Sequence, residues 1–302
     1  QTITRARSPM VKSSVLPLAA AAAAGFLLRE LWARSRARRE RRKMKLLSLH
    51  EAEVSEALAS GGSDGDAAVL CTRGVGRVFF VSRSDTALLL IDMQVDFLHA
   101  AGRLGKYYDA ERHEVLGRAQ KKVEALLAAA RRAGLTVAHS RSHRYGAAVR
   151  VDLLAGPQPG APDVAAADAP PQHFGAVDAG YELLPSCRAL PGEIVVDKWT
   201  FGAFASTDLE AQLRARGVRK ILLAGILTNV CVFATAVQAV DRFFRVCLVE
   251  DAAAAFSPEW HDKAVDLLSG PQCAPGHAAK AVGLYFGEVA TVERVAAALE
   301  KV

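Results

Sequence analysis

Three residues of different chemical type stand at the ends of short apolar runs. Asp92 follows TALLLI, Lys198 follows EIVVD, and Cys231 lies in GILTNVCV just beyond KILLAG. Brought together, a carboxylate, an ammonium and a thiol form a nucleophile system. The thiolate is the attacking species, yet a free thiol titrates near ~8.5; a helix N-terminus and a nearby ammonium both favour its ionisation. A carboxylate can take the thiol proton and hand it to a leaving amine, while the lysine orients that carboxylate. Backbone N–H groups of GILTNVC can form an oxyanion hole, worth ~2.7–4 kcal/mol per donor. Singly, each residue has a plainer reading: a turn cap, a solvated lysine, a small core cysteine. Their shared position at strand ends favours the chemical one.

The elements that must position them follow from periodicity. Apolar runs at 86–91, 135–140, 193–197, 220–225, 245–251 and 284–290 read as strands. They alternate with helical patterns at 112–133, 207–215, 229–241, 258–268 and 292–301, the second opening on a capping box from Thr207 to Glu210. Strands apolar throughout and separated by helices imply an α/β fold, a doubly wound, six-stranded, mainly parallel sheet covered on both faces. Ligands in such sheets bind beyond the carboxyl ends of the strands, where Asp92, Lys198 and Cys231 are expected. Ahead of this domain (84–302), residues 46–83 read as a short helix, a Gly-rich linker and a hairpin around Arg73–Gly76. GGSDG at 61–65 matches a nucleophile-elbow string, but no strand precedes it, and we discount it.

The net charge of +6 is concentrated at one end. Residues 1–45 carry twelve Lys and Arg against two acids, whereas the remainder holds 26 basic and 30 acidic residues. The basicity thus belongs to the tail, and a nucleic-acid partner is not implied. The tail contains an unbroken apolar run at 15–28, then nine basic residues between Arg29 and Lys45. It is expected to anchor the chain at a membrane or to a membrane protein through residues 13–45, in a mitochondrial or plastid setting or on the cytoplasmic face of a membrane. A cleavable targeting peptide and a partner-binding amphipathic helix are the competing readings. Five cysteines without regular spacing argue against a disulfide framework.

The blocks LLLIDMQVDF, LPGEIVVDKWTFGAF, STDLEAQLRARGV, ILLAGILTNVCV and RVCLVEDAAAAFSPEWH resemble the isochorismatase-like cysteine hydrolases over residues 84–299. The resemblance implies a catalytic triad of Asp92, Lys198 and Cys231, and a cis peptide between Ile226 and Leu227 shaping the oxyanion hole with Cys231. It also implies a doubly wound six-stranded sheet and a possible homo-oligomer. The nicotinamidase branch holds a metal through an Asp-x-His arrangement; here HSRSH puts Ser142 in place of the aspartate, so no catalytic metal and no cofactor are expected. The stretch 183–203 is closer to branches acting on carbamoyl or ureido amides, implying a small amide substrate. Phe97, His139, His143, Arg144, Trp199, Phe201 and Thr228 are the expected pocket residues, with Arg141 beside them and Phe204 as a further wall. An alternative is a family domain serving as a structural subunit of a membrane assembly.

Overall fold

The computed structural model describes residues 67–72, 78–102, 104–142, 179–270 and 286–302, all within a compact unit spanning Val54–Val302. The tail, the helix at 46–60 and most of the two long connections read from the sequence lie outside the described residues.

First, β1 (Ala67–Leu70) pairs antiparallel with β2 (Val78–Val81), as the hairpin reading around Arg73–Gly76 expects. Then come β3 (Thr86–Ile91), α1 (Val95–Leu98), α2 (Ala110–Arg132), β4 (Thr136–Ser142) and β5 (Ile194–Lys198). They are followed by α3 (Leu209–Ala215), β6 (Lys220–Ile226), α4 (Phe233–Asp241), β7 (Arg245–Ala254), α5 (Pro258–Ser269), β8 (Glu288–Ala290) and α6 (Val292–Leu299). Strands β3 to β8 make one six-stranded sheet in the order β5-β4-β3-β6-β7-β8, every pair parallel. The doubly wound expectation is met.

Strand period fixes which side chains go where. Leu88, Leu90, Val137, Leu222 and Val249 enter a core with Leu116, Val123 and Leu127 of α2 and Val295 of α6. Their strand neighbours Leu89, Ile91, Ala138, Leu223 and Leu248 enter the opposite core with Leu213 of α3, Ala236 of α4 and Leu268 of α5. Each fully buried leucine contributes about 1.5–3 kcal/mol, against at most ~1 kcal/mol for an exposed ion pair, so the two apolar layers dominate the fold. The hairpin joins the α2 side through Val69, Phe79 and Val81. Arg245 fastens it by donating to the Val78 carbonyl at 2.7 Å.

Local departures from expectation have physical causes. Helix α3 starts at Leu209 with Asp208 at the cap position; Thr207 Oγ1 donates to the Ala203 carbonyl at 2.6 Å and accepts from the Leu209 N–H at 3.2 Å, in place of the Glu210 N–H that a capping box would use. Strand β6 packs closely against β3 at Gly225. Its φ is +116°, and a Cβ there would lie 2.3 Å from the Ile91 carbonyl oxygen, so only glycine fits between the two strands.

His139 is fully buried on the α2 side of β4, where its Nε2 lies 2.9 Å from Glu193 Oε2. Arg131 of α2 clamps the same carboxylate from 2.7 and 2.9 Å. Burial opposes the Glu193 charge, but Arg131 above all, then the Leu190 N–H and His139, hold its pKa down to about 2. Burial dominates at His139 and lowers its pKa below 6.5 despite Glu193.

Two outcomes follow. Gly225→Ala is expected to destabilise the fold by more than about 2 kcal/mol, read as a lower urea midpoint. For His139, the unfolded chain binds a proton near 6.5 that the folded chain takes up only at lower pH. The associated stability is therefore complete above 6.5 and declines as pH falls towards the folded value. The wild-type melting temperature should drop more steeply between about pH 7 and 5.5 than that of His139→Gln, a window that lies above the Glu193 transition. Parallel slopes would contradict this.

Candidate active site

The chain leaves β3 through Asp92, which has a φ of 55°, a left-handed conformation that aspartate tolerates better than most residues. The Asp92 N–H donates to the Ser140 carbonyl of β4 at 3.1 Å, and its own carbonyl accepts from Gln94 N–H at 2.8 Å. The residue is only 1% exposed. Its Oδ1 accepts from the Ser140 hydroxyl at 2.7 Å, and its Oδ2 lies 2.8 Å from Lys198 Nζ.

Lys198 is the last residue of β5 and is 0% exposed. Its ammonium also donates to the Thr200 carbonyl at 3.2 Å and hydrogen-bonds the Cys231 side chain. Burial alone would discharge such a lysine. Asp92 first, then Cys231, overcome that penalty and hold its pKa above the ordinary value. The structure therefore brings Asp92, Lys198 and Cys231 into one buried cluster around a single ammonium.

Cys231 arrives from β6. The peptide between Ile226 and Leu227 is cis, as the resemblance implied. Residues Thr228–Val232 then form a π-turn ahead of α4, where the sequence pattern predicts the first turn of an α-helix. The Leu227 carbonyl accepts from the N–H groups of Val230 and Val232 at 3.0 and 3.2 Å. Thr235 Oγ1 donates to the Cys231 carbonyl at 2.6 Å and accepts from Ala203 N–H at 3.1 Å, tying this turn to the segment after Lys198. Thr228 is fully buried and shares a 2.9 Å hydrogen bond with His261 Nδ1. Two of the other described thiols, Cys187 and Cys247, differ. Burial pushes Cys187 up to about 11 and Cys247 well above the ordinary thiol range. Both are poor sources of thiolate.

The remaining expected pocket residues are distributed differently. Trp199 and Phe201 flank Lys198 and are partly exposed, at 46% and 37%. Phe97 packs half-buried against the α2-side core, and Phe204 is buried against Phe244. His139 is a correction: strand alternation turns it to the α2 face, away from Ser140 and Asp92, and Glu193 engages it. Arg141 is also occupied, making two bonds to Asp197 and one to Glu182 while stacking on Tyr181. His143 and Arg144 lie outside the described residues. Among the described residues, no group of three or more His, Cys, Asp or Glu could hold a metal ion.

Two contributors were not singled out from the sequence. Ser140 ends the apolar run at 135–140 and reads as ordinary strand. Gln94 is fully buried; its amide donates to the Tyr181 carbonyl at 2.8 Å and accepts from Ser142 N–H at 2.7 Å. It thereby ties the turn after Asp92 to the end of β4 and to the segment leading into β5. Its place in DMQVDF beside Asp92 was the available signal. A cleft of about 520 Å³ opens nearby between α2, the end of β7 and the start of α5. None of the three cluster residues lines it, and His261 connects it to Thr228.

Residues 86–280 match the family model for the isochorismatase domain. A ureidoacrylate amidohydrolase RutB from Variovorax paradoxus is 34% identical over 182 residues, covering 56% of this chain and 68% of that protein. The RutB of Cronobacter turicensis is 29% identical, covering 71% and 88%. Among solved structures, a cysteine hydrolase from Pseudomonas syringae pv. phaseolicola matches at TM-score 0.55 and 23% identity over 73% of this chain and 94% of its own, a likeness of fold. An N-carbamoylsarcosine amidase from Thermoplasma acidophilum matches at TM-score 0.50 and 25% identity, covering 69% and 97%. With the domain matched from the first strand of its parallel sheet onward, this chain belongs to the isochorismatase family.

Proposed function

We propose that the protein is a cysteine-dependent hydrolase of small carbamoyl- or ureido-type amides. The carrying observation is the buried contact of Lys198 with both Asp92 and Cys231. The similarity to proteins named ureidoacrylate amidohydrolase and N-carbamoylsarcosine amidase supports the substrate class.

The proposed reaction runs in two halves. The Cys231 thiol gives its proton to Asp92, and Sγ attacks the amide carbon. A C–S bond forms, and the carbonyl π electrons move onto oxygen. Backbone N–H groups of the turn around Ile226, Leu227 and Cys231 hold that oxyanion, each donor worth ~2.7–4 kcal/mol. Collapse breaks the C–N bond, and Asp92 protonates the departing amine. Water then attacks the thioester and Asp92 takes its proton; as the C–S bond breaks, Asp92 returns that proton to Sγ, which releases the acid and restores both thiol and carboxylate. Lys198 keeps the carboxylate charged and close to the thiol throughout. Trp199, Phe201, Phe97 and Thr228 are proposed to wall the bound amide, joined by His143 and Arg144.

Wild-type protein supplied with N-carbamoyl amino acids, ureidoacrylate and nicotinamide should release ammonia from the ureido compounds in preference to nicotinamide. Cys231→Ala should lower kcat by on the order of 10⁴-fold or more, because the nucleophile is removed. Full activity in Cys231→Ala would sink the proposal. So would a wild type inert to all these amides whose Cys231 alkylates no faster than a free thiol.

The apolar run at 15–28 and the basic cluster behind it favour a second proposal, that residues 13–45 hold this domain on an organellar membrane. Among the described residues no helix is long and apolar enough to cross a membrane. Alkaline carbonate should leave the full chain in the membrane pellet and release a chain beginning at residue 46; equal extraction of the two would refute the anchor.

A further inference from the structure

We infer that Ser140 is a positioning residue that divides the work between the two oxygens of Asp92. Its hydroxyl fixes Oδ1, leaving Oδ2, on the Lys198 side, as the oxygen that exchanges the proton with Cys231. The inference rests on the thiol chemistry proposed above and adds a residue and an atom to it.

Ser140 and Asp92 are joined twice. The backbone bond from Asp92 N–H to the Ser140 carbonyl is 3.1 Å, and the side-chain bond from Ser140 Oγ to Asp92 Oδ1 is 2.7 Å. Both residues are buried, Ser140 at 0% and Asp92 at 1% exposure, so bulk solvent does not weaken the bond between them. Register explains the arrangement. Ser140 pairs with Ile91 across β4 and β3, and strand alternation sends its side chain to the face opposite His139. Asp92 is the next residue along β3, and its left-handed backbone turns the carboxylate back over Ser140.

A carboxylate turns about its Cα–Cβ and Cβ–Cγ bonds, and the second of these has a broad, roughly two-fold profile. One partner alone leaves the plane of the group poorly defined. The ammonium is a weak guide because it is a rotatable point charge shared with the Thr200 carbonyl and the Cys231 side chain. The serine hydroxyl is short, held by a strand, and reaches only Oδ1. With Oδ1 occupied there and Oδ2 2.8 Å from Lys198 Nζ, the plane is set. The lysine that holds Oδ2 also touches the Cys231 side chain, which puts the proton donor and its acceptor on the same side of the carboxylate.

The test is a matched pair of variants on the full chain. Ser140→Thr keeps the hydroxyl, and Ser140→Val gives nearly the same shape without it, so damage to packing is common to both. Steady-state hydrolysis of a ureido amide should give Ser140→Thr a kcat within about 3-fold of wild type, whereas Ser140→Val falls about 10–100-fold with KM little changed, the signature of lost alignment at the reacting atoms. Alkylation of Cys231 by iodoacetamide should slow in Ser140→Val and stay near wild type in Ser140→Thr. Rates are compared below the melting temperature of the weaker variant. Equal kcat in the two variants, whether both high or both low, overturns the role of the hydroxyl. If that occurs while Cys231→Ala is dead, the proposed chemistry stands and only the positioning role is lost. If Cys231→Ala is active, the chemistry itself is wrong and the inference falls with it.

Discussion

The ion pair between Lys198 and Asp92 constrains everything around it. Neither side chain is reached by solvent, so each charge depends on the other and on the groups that complete their hydrogen bonds. Taking two such ions out of water costs several kcal/mol each, and losing one partner of a buried pair typically costs ~3–5 kcal/mol because the survivor is left uncompensated. The order β5-β4-β3 shows what the fold must do to keep them together. Lys198 ends one strand, Asp92 follows another, and β4 runs between them. The lysine's length spans the end of that middle strand, and Ser140 on the same strand completes the carboxylate. Around this pair the Thr200 carbonyl and the Cys231 side chain share the remaining capacity of the ammonium.

The thiol side is held by backbone as much as by side chains. Gly225 lets β6 press against β3, the cis peptide and π-turn follow at once, and Thr235 stitches the Cys231 carbonyl to the loop after Lys198. All three are buried, and the neighbouring ammonium separates Cys231 from Cys187 and Cys247. Those two thiols are immersed in apolar surroundings that disfavour charge, whereas Cys231 touches a cation. One feature of the environment thus distinguishes residues that are chemically identical in the chain.

The core was largely legible because burial leaves a periodic trace. Apolar runs of strand length alternating with helical patterns predict each strand of the parallel sheet and each longer helix, with shifts of a few residues at the ends, and the last strand is shorter than the run that predicts it. The cluster was legible because parallel sheets gather strand ends. What failed was side-chain direction and hydrogen-bond competition. His139 lies in the strand predicted for it, yet a period of two turns it to the α2 face, where Glu193 engages it. Arg141 resembles a substrate-binding arginine until Asp197 and Glu182 occupy its guanidinium. Thr207 looks like the start of a capping box, but its hydroxyl donates to the Ala203 carbonyl and accepts from the Leu209 N–H rather than from Glu210.

By itself the sequence determined the α/β class, the parallel sheet, the family, and the three residues standing at the strand ends. Each of these depends on residue type and local spacing, which the chain carries in order. Tertiary structure decided the rest: that one ammonium touches both Asp92 and Cys231, that Ser140 holds Oδ1, that Gln94 ties the turn after Asp92 to β4, and that Cys231 sits in a π-turn. Those facts depend on register between strands distant in sequence and on which of several eligible partners wins a buried hydrogen bond. Neither leaves a local pattern, because both are settled only when the layers pack and water is excluded.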